Sequence, residues 1–70
     1  MPIIQAWLLE GRDAATKERF IAAVTDAAVE SLKAPRESIR IIITEMPGEH
    51  FGIAGESYAA KRARLAGETA

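Results

Sequence analysis

The chain has 70 residues, 49% of them hydrophobic and none a cysteine: one small domain, 1–70, with a marginal core and no disulfides, so association between copies is the remedy left. A formal net charge of −1 and a single histidine, His50, exclude a basic nucleic-acid surface and a histidine-based metal cluster within one chain. No apolar run nears the ~20 residues of a membrane span and no signal-peptide pattern opens the chain, so the expectation is a cytoplasmic protein with neither a nucleic-acid nor a membrane partner.

Pro2 stands directly behind Met1 and ahead of an apolar run, Ile3 to Leu9, interrupted only by Gln5. The run is short, partly β-branched and closed by Glu10-Gly11, which predicts a strand covered on both faces. Proline is tolerated at the first position of a strand. Removal of Met1 would instead expose a secondary amine, and position alone leaves both readings open.

Asp13 occupies an N-cap position before a helix. Phe20, Ile21, Val24, Ala27, Ala28 and Leu32 recur at helical period as one apolar stripe, with Lys17, Glu18, Asp26, Glu30 and Lys33 largely off it. Ala34-Pro35 ends the helix, because the residue before proline is pushed out of helical geometry. After the turn "PRES" a second β-branched strand runs from Ile39 to Glu45. Strand, helix, strand in so short a span predicts a βαβ unit with parallel strands and a right-handed crossover. Pro47-Gly48 predicts a turn, "HFGIAGE" a short extended piece or hairpin, and Ser57 to Leu65 a helical turn or two before fraying from Gly67. The fold class is therefore α/β (α+β). One helix covers one face of two strands. Ile41 and Ile43 point to one side and Ile42 to the other, so the second face must be completed by subunit association.

Four features do not belong to a plain core. Arg40 alternates onto the face of Ile42 and Thr44; it is either a charge that discourages edge aggregation or a guanidinium placed for a carboxylate. Arg12 follows Gly11 at the carboxyl end of the first strand, where parallel α/β units often bind ligands, although loop arginines are usually solvated. Phe51 lies in a turn-rich segment and would otherwise cap the core. Glu10 and Glu45 end the strands, where carboxylates are commonly solvated.

Taken together, Pro2 after Met1, "LLEGR" at Leu8–Arg12, the helix, "APRESIRIIITEM" at Ala34–Met46 and "HFGIAGE" at His50–Glu56 resemble the 4-oxalocrotonate tautomerase family. The likeness spans Pro2 to about Glu56 with the spacing between segments kept. It implies that Met1 is trimmed and Pro2 becomes the general base, with Arg12 and Arg40 binding and polarising the substrate. Phe51 would wall an apolar pocket together with Leu9. It also implies a homohexamer, a trimer of dimers, with arginines of neighbouring subunits completing each site, and a role in aromatic hydrocarbon catabolism. The family's reaction needs no metal or organic cofactor. Pro47-Gly48-Glu49, Trp7 and the C-terminal segment depart from the family pattern and bear on pocket shape and substrate preference.

The expected chemistry is ketonisation of an unsaturated 2-hydroxy dicarboxylate, 2-hydroxymuconate to 2-oxo-3-hexenedioate. A base near the working pH can both take and return the proton. An apolar surround and neighbouring guanidiniums disfavour the prolyl ammonium and lower its pKa. Two alternatives differ in kind. A charged proline could act as an acid in a dehalogenase, hydratase or decarboxylase of the same superfamily, or the chain could be a non-catalytic oligomeric module.

Overall fold

The computed structural model describes residues 2–69; Met1, whose removal the sequence reading expects, lies outside them. Strand β1 (Ile3–Leu9) leads through Gly11 into helix α1 (Ala14–Leu32), which returns the chain to strand β2 (Arg40–Met46). The two strands are parallel, in register from Ile3 opposite Arg40 to Leu9 opposite Met46. The predicted βαβ unit is present, with β2 one residue later than expected. A turn of 3₁₀ helix at Arg36–Ser38 joins α1 to β2.

Local chemistry sets the helix ends. The Asp13 carboxylate accepts from the Thr16 amide at 2.9 Å, satisfying one of the orphan donors of the first turn. Lys33 closes the helix in a left-handed conformation, φ 55°, with its amide on the Val29 carbonyl at 3.0 Å. Gly11, at φ 128°, makes the bend between β1 and the cap, a conformation that side chains rarely adopt.

Strand alternation divides the sheet. Ile4, Ala6 and Leu8 of β1 and Ile41 and Ile43 of β2 are half-buried beneath α1, whose covering residues include Phe20, Ile21, Val24 and Ala28. Val29 completes that stripe; Ala27 and Leu32, expected there, turn to solvent. The other face carries Ile3, Gln5 and Trp7 beside Arg40, Ile42 and Thr44, all exposed. Ile3 and Trp7 are 58% and 63% accessible. Among the described residues only Ala28 and Ile39 reach 9% or less.

Beyond β2 the chain leaves the sheet at Met46, passes a 3₁₀ turn at Gly48–His50, and forms an antiparallel hairpin of β3 (Gly52–Ile53) and β4 (Glu56–Ser57). Helix α2 (Tyr58–Thr69) follows directly, with the Ser57 hydroxyl accepting from the Ala60 amide at 3.1 Å. This segment, expected to hold one or two turns and fray at Gly67, is a helix of 12 residues. It packs chiefly on the 3₁₀ turn of Gly48–His50 and on β4. The molecule is consequently long, 50 × 24 × 17 Å, with a radius of gyration of 16.4 Å, where a compact chain of this length would have about 11 Å.

Candidate active site

The parallel register fixes which candidate residues meet. The Arg40 amide donates to the Pro2 carbonyl at 3.0 Å, so Pro2 and Arg40 lie side by side at one end of the sheet. The Arg40 guanidinium donates through Nη1 to the Glu37 carbonyl at 2.6 Å, which anchors it to the 3₁₀ turn just before β2. Pro2 itself is half-buried.

Leu9 and Arg12 lie together at the opposite end. The Arg12 Nη1 donates to the Leu9 carbonyl at 3.1 Å, folding the loop arginine back over the strand terminus. The ladder continues one step past β1, with the Glu10 amide on the Met46 carbonyl at 2.9 Å. Lys17 pairs with Glu45 at 3.1 Å and ties the first turns of α1 to the end of β2. Glu45 thus has a structural partner, while Glu10 is exposed.

A strand of seven residues is about 20 Å long at its usual rise. Pro2 and Arg12 of one chain are therefore separated by the length of β1. Phe51 stands on the hairpin arm, which leaves the sheet from the Leu9 end, and is 38% exposed. The five candidate residues form two pairs and a separate aromatic rather than one cluster.

The arm has its own order. The Tyr58 amide donates to the Phe51 carbonyl at 2.7 Å, extending the β3–β4 ladder by one pair. The two rings stand 6.5 Å apart with a 40° tilt. Arg62 lies over the Tyr58 ring, 5.7 Å from its centroid, and donates to its hydroxyl at 3.0 Å. Arg64 grips the Glu56 carboxylate with both Nε and Nη2, at 3.0 and 3.2 Å, holding it below the ordinary glutamate range. Gly48 packs so closely on the start of α2 that an added Cβ would meet the Ala59 nitrogen at 3.3 Å. Tyr58, Arg62 and Arg64 escape the sequence reading; the four-residue spacing of Tyr58 and Arg62 is the one local signal that could have suggested them. Among the described residues no group of three or more histidine, aspartate or glutamate side chains could hold a metal ion, and no helix is long and apolar enough to cross a membrane.

The sequence matches the family model of the tautomerase enzymes over residues 2–61. The chain belongs to the tautomerase family. A 2-hydroxymuconate tautomerase of Pseudomonas putida is 55% identical over 56 residues, which are 80% of this chain and 89% of the relative. A 4-oxalocrotonate tautomerase isozyme from Methylibium petroleiphilum superposes with a TM-score of 0.88 at 43% identity, over 90% of this chain and 98% of that one. The heterohexameric 4-oxalocrotonate tautomerase from Chloroflexus aurantiacus gives 0.82 at 32% identity, over 84% of this chain and 95% of its own. This tautomerase is an isomerase, built on the α+β fold of the 4-oxalocrotonate group. Arg62 and Arg64 lie just past the residues that the family model matches.

Proposed function

We propose that this tautomerase ketonises 2-hydroxymuconate, or a close unsaturated 2-hydroxy dicarboxylate, to 2-oxo-3-hexenedioate, with Pro2 as general base once Met1 is removed. The pairing of Arg40 with Pro2 across the ladder, 3.0 Å from amide to carbonyl, carries the reading, because it sets a guanidinium-bearing residue beside the proline on a rigid strand. The uncapped prolyl nitrogen takes the 2-hydroxyl proton, leaving a dienolate. The same nitrogen returns the proton to the distal carbon of the conjugated system, so no atom is gained or lost. Arginine binds the substrate carboxylates in a fork and steadies the charge that develops on the 2-oxygen. Leu9 and Phe51, which lie at the other end of β1 from Pro2 in one chain, supply from a neighbouring copy the apolar wall that keeps water from the dienolate.

Arg12 reaches this proline only from another copy. Two sheets joined edge to edge with opposed strand directions bring the Pro2 end of one subunit to the Arg12 end of the next. Such a join adds strands to a sheet that has two, and packing the open faces of the joined sheets against further copies would bury Trp7 and Ile42. A homohexamer, a trimer of dimers, is the assembly we propose for this single 1–70 domain; the related Chloroflexus enzyme is a heterohexamer. A proline acting as acid in dehalogenation, hydration or decarboxylation is the second reading. Where such a reaction adds water a carboxylate must activate it, and with Glu45 paired to Lys17 that role would fall to the exposed Glu10.

The pH dependence of kcat/KM on protein of verified N-terminal mass is the test. A free-base proline gives activity that rises with pH through the pKa of its amine, and Pro2→Ala lowers it by about 10²-fold. Activity that falls with rising pH over that limb assigns the proline as an acid. Wild-type rates in Pro2→Ala remove it from the chemistry.

A further inference from the structure

We propose that α2 is a brace that sets the position of Phe51, with Tyr58 and Arg64 as positioning residues that govern substrate affinity rather than proton transfer. The inference rests on the placement of Phe51 in the site under the function proposed above. It begins from an asymmetry within the arm. Phe51 is attached to the sheet through the four residues Pro47, Gly48, Glu49 and His50, which follow Met46 and include the 3₁₀ turn of Gly48–His50, and the β3–β4 ladder beside it has two residue pairs. A ladder that short is marginal in water. Something else must hold the ring at a fixed place.

Three residues of α2 do so: Tyr58, Arg62 and Arg64. Tyr58 extends the ladder by its amide bond to the Phe51 carbonyl, 2.7 Å, and sets its ring against that of Phe51, 6.5 Å away. A cross-strand aromatic pair of this kind adds to the stability of a small antiparallel ladder. Arg62, one helical turn on, lies over the Tyr58 ring, 5.7 Å from its centroid, and donates to its hydroxyl at 3.0 Å. Arg64 then reaches across the strand–helix junction to grip Glu56 of β4 with two nitrogens, 3.0 and 3.2 Å. The fork fixes direction as well as distance, which a single point charge cannot. The helix cannot swing without breaking the fork, and Tyr58 cannot turn without losing Arg62. Phe51 inherits both constraints through Tyr58. Gly48 closes the unit from below, where its bare Cα lets the start of α2 pack against the 3₁₀ turn.

Two readouts test the brace on the full-length protein: amide hydrogen exchange at Tyr58, and steady-state constants with 2-hydroxymuconate. Arg64 is exposed and part of no core, so R64A folds. In R64A the Tyr58 amide is expected to exchange about threefold faster, and KM to rise about threefold, while kcat and the pH profile stay as in wild type. The charge-reversed pair E56R/R64E restores both. Y58A gives the larger effect of the same kind. In the F51A background R64A adds nothing further, because the brace acts through that ring. Unchanged Tyr58 exchange in R64A overturns the brace. An R64A effect on KM that persists undiminished in F51A also overturns it, since the effect then does not run through Phe51. Wild-type kinetics in F51A itself, with faster Tyr58 exchange in R64A, leave the brace standing as structure and overturn the placement of Phe51 at the substrate, so the two failures are told apart.

Discussion

At the scale of single residues, backbone conformation and side-chain chemistry each set a limit. Ala54 and Gly55 form the tip of the hairpin with φ of 54° and 87°, the pair of positive values that a two-residue turn between twisted strands demands. Glycine meets the demand freely. Alanine does so against the crowding of its Cβ with its own carbonyl. Asn tolerates that region better, and Ala54→Asn is expected to raise stability by about 0.5–1 kcal/mol, read as a higher Tm at matched protein concentration. Arg40 is limited by chemistry instead. The register places its backbone beside Pro2, and under the proposed mechanism truncation removes a contact made to substrate and transition state alike. Arg40→Ala is expected to raise KM and lower kcat together, with kcat reduced by on the order of 10²-fold. A rise in KM alone would make Arg40 a binding group that does nothing for the developing charge. Arg40→Lys is expected to recover only part of the loss, because an ammonium cannot form the fork.

At the scale of elements, α1 and α2 are held at their amino ends and junctions by carboxylates that must be ionised. Asp13 is kept below the ordinary aspartate range chiefly by the hydrogen bond from Thr16, and Glu56 below the ordinary glutamate range chiefly by that from Arg64. A carboxylate whose folded pKa is depressed contributes stability that is fully present above its unfolded value, near 4, and is lost as pH falls through the lower folded one. Both helices are therefore expected to weaken on acidification below about pH 4, with Asp13→Asn shifting the acid loss of α1 helicity, followed by circular dichroism, and Glu56→Gln leaving it in place. The same elements show what the sequence makes legible. β1, α1 and β2 follow from period and punctuation, because each buries one side against another element close in sequence. Val29 takes the half-buried place expected of Leu32, the last residue of α1, which is exposed. α2 is not legible from an apolar stripe, since it has no broad apolar face and docks by a fork and a stacked ring. Its run of alanine, lysine, arginine and leucine does favour helix. The site divides in the same way. Pro2, Arg12, Arg40, Leu9 and Phe51 come from matched segments, whereas their separation into two ends of a strand requires the parallel register.

At the scale of the whole molecule, one protomer leaves too much surface in water. Its accessible area is 5177 Å², where a folded monomer of 7.6 kDa would expose about 4,300 Å². Part of the excess is the open sheet face of Ile3, Trp7 and Ile42. Under the proposed mechanism the same openness calls for a second copy running the other way, since the ends of β1 that carry Pro2 and Arg12 are about 20 Å apart. A shared site makes a strong demand on mixtures. Pro2→Ala and Arg12→Ala, each alone, form assemblies in which every site lacks one partner. Unfolded together in equal amounts and refolded, they are expected to yield sites in which an intact Pro2 of one subunit faces an intact Arg12 of its neighbour. Random mixing gives about a quarter of all sites this composition, so the mixture should rise to about a quarter of wild-type kcat per site, well above either parent. Refolding each variant separately and mixing afterwards provides the control and should give no such gain while subunits do not exchange. If every site were built from a single chain, a mixed assembly would contain only sites lacking Pro2 or lacking Arg12, and its activity would stay at the average of the two parents.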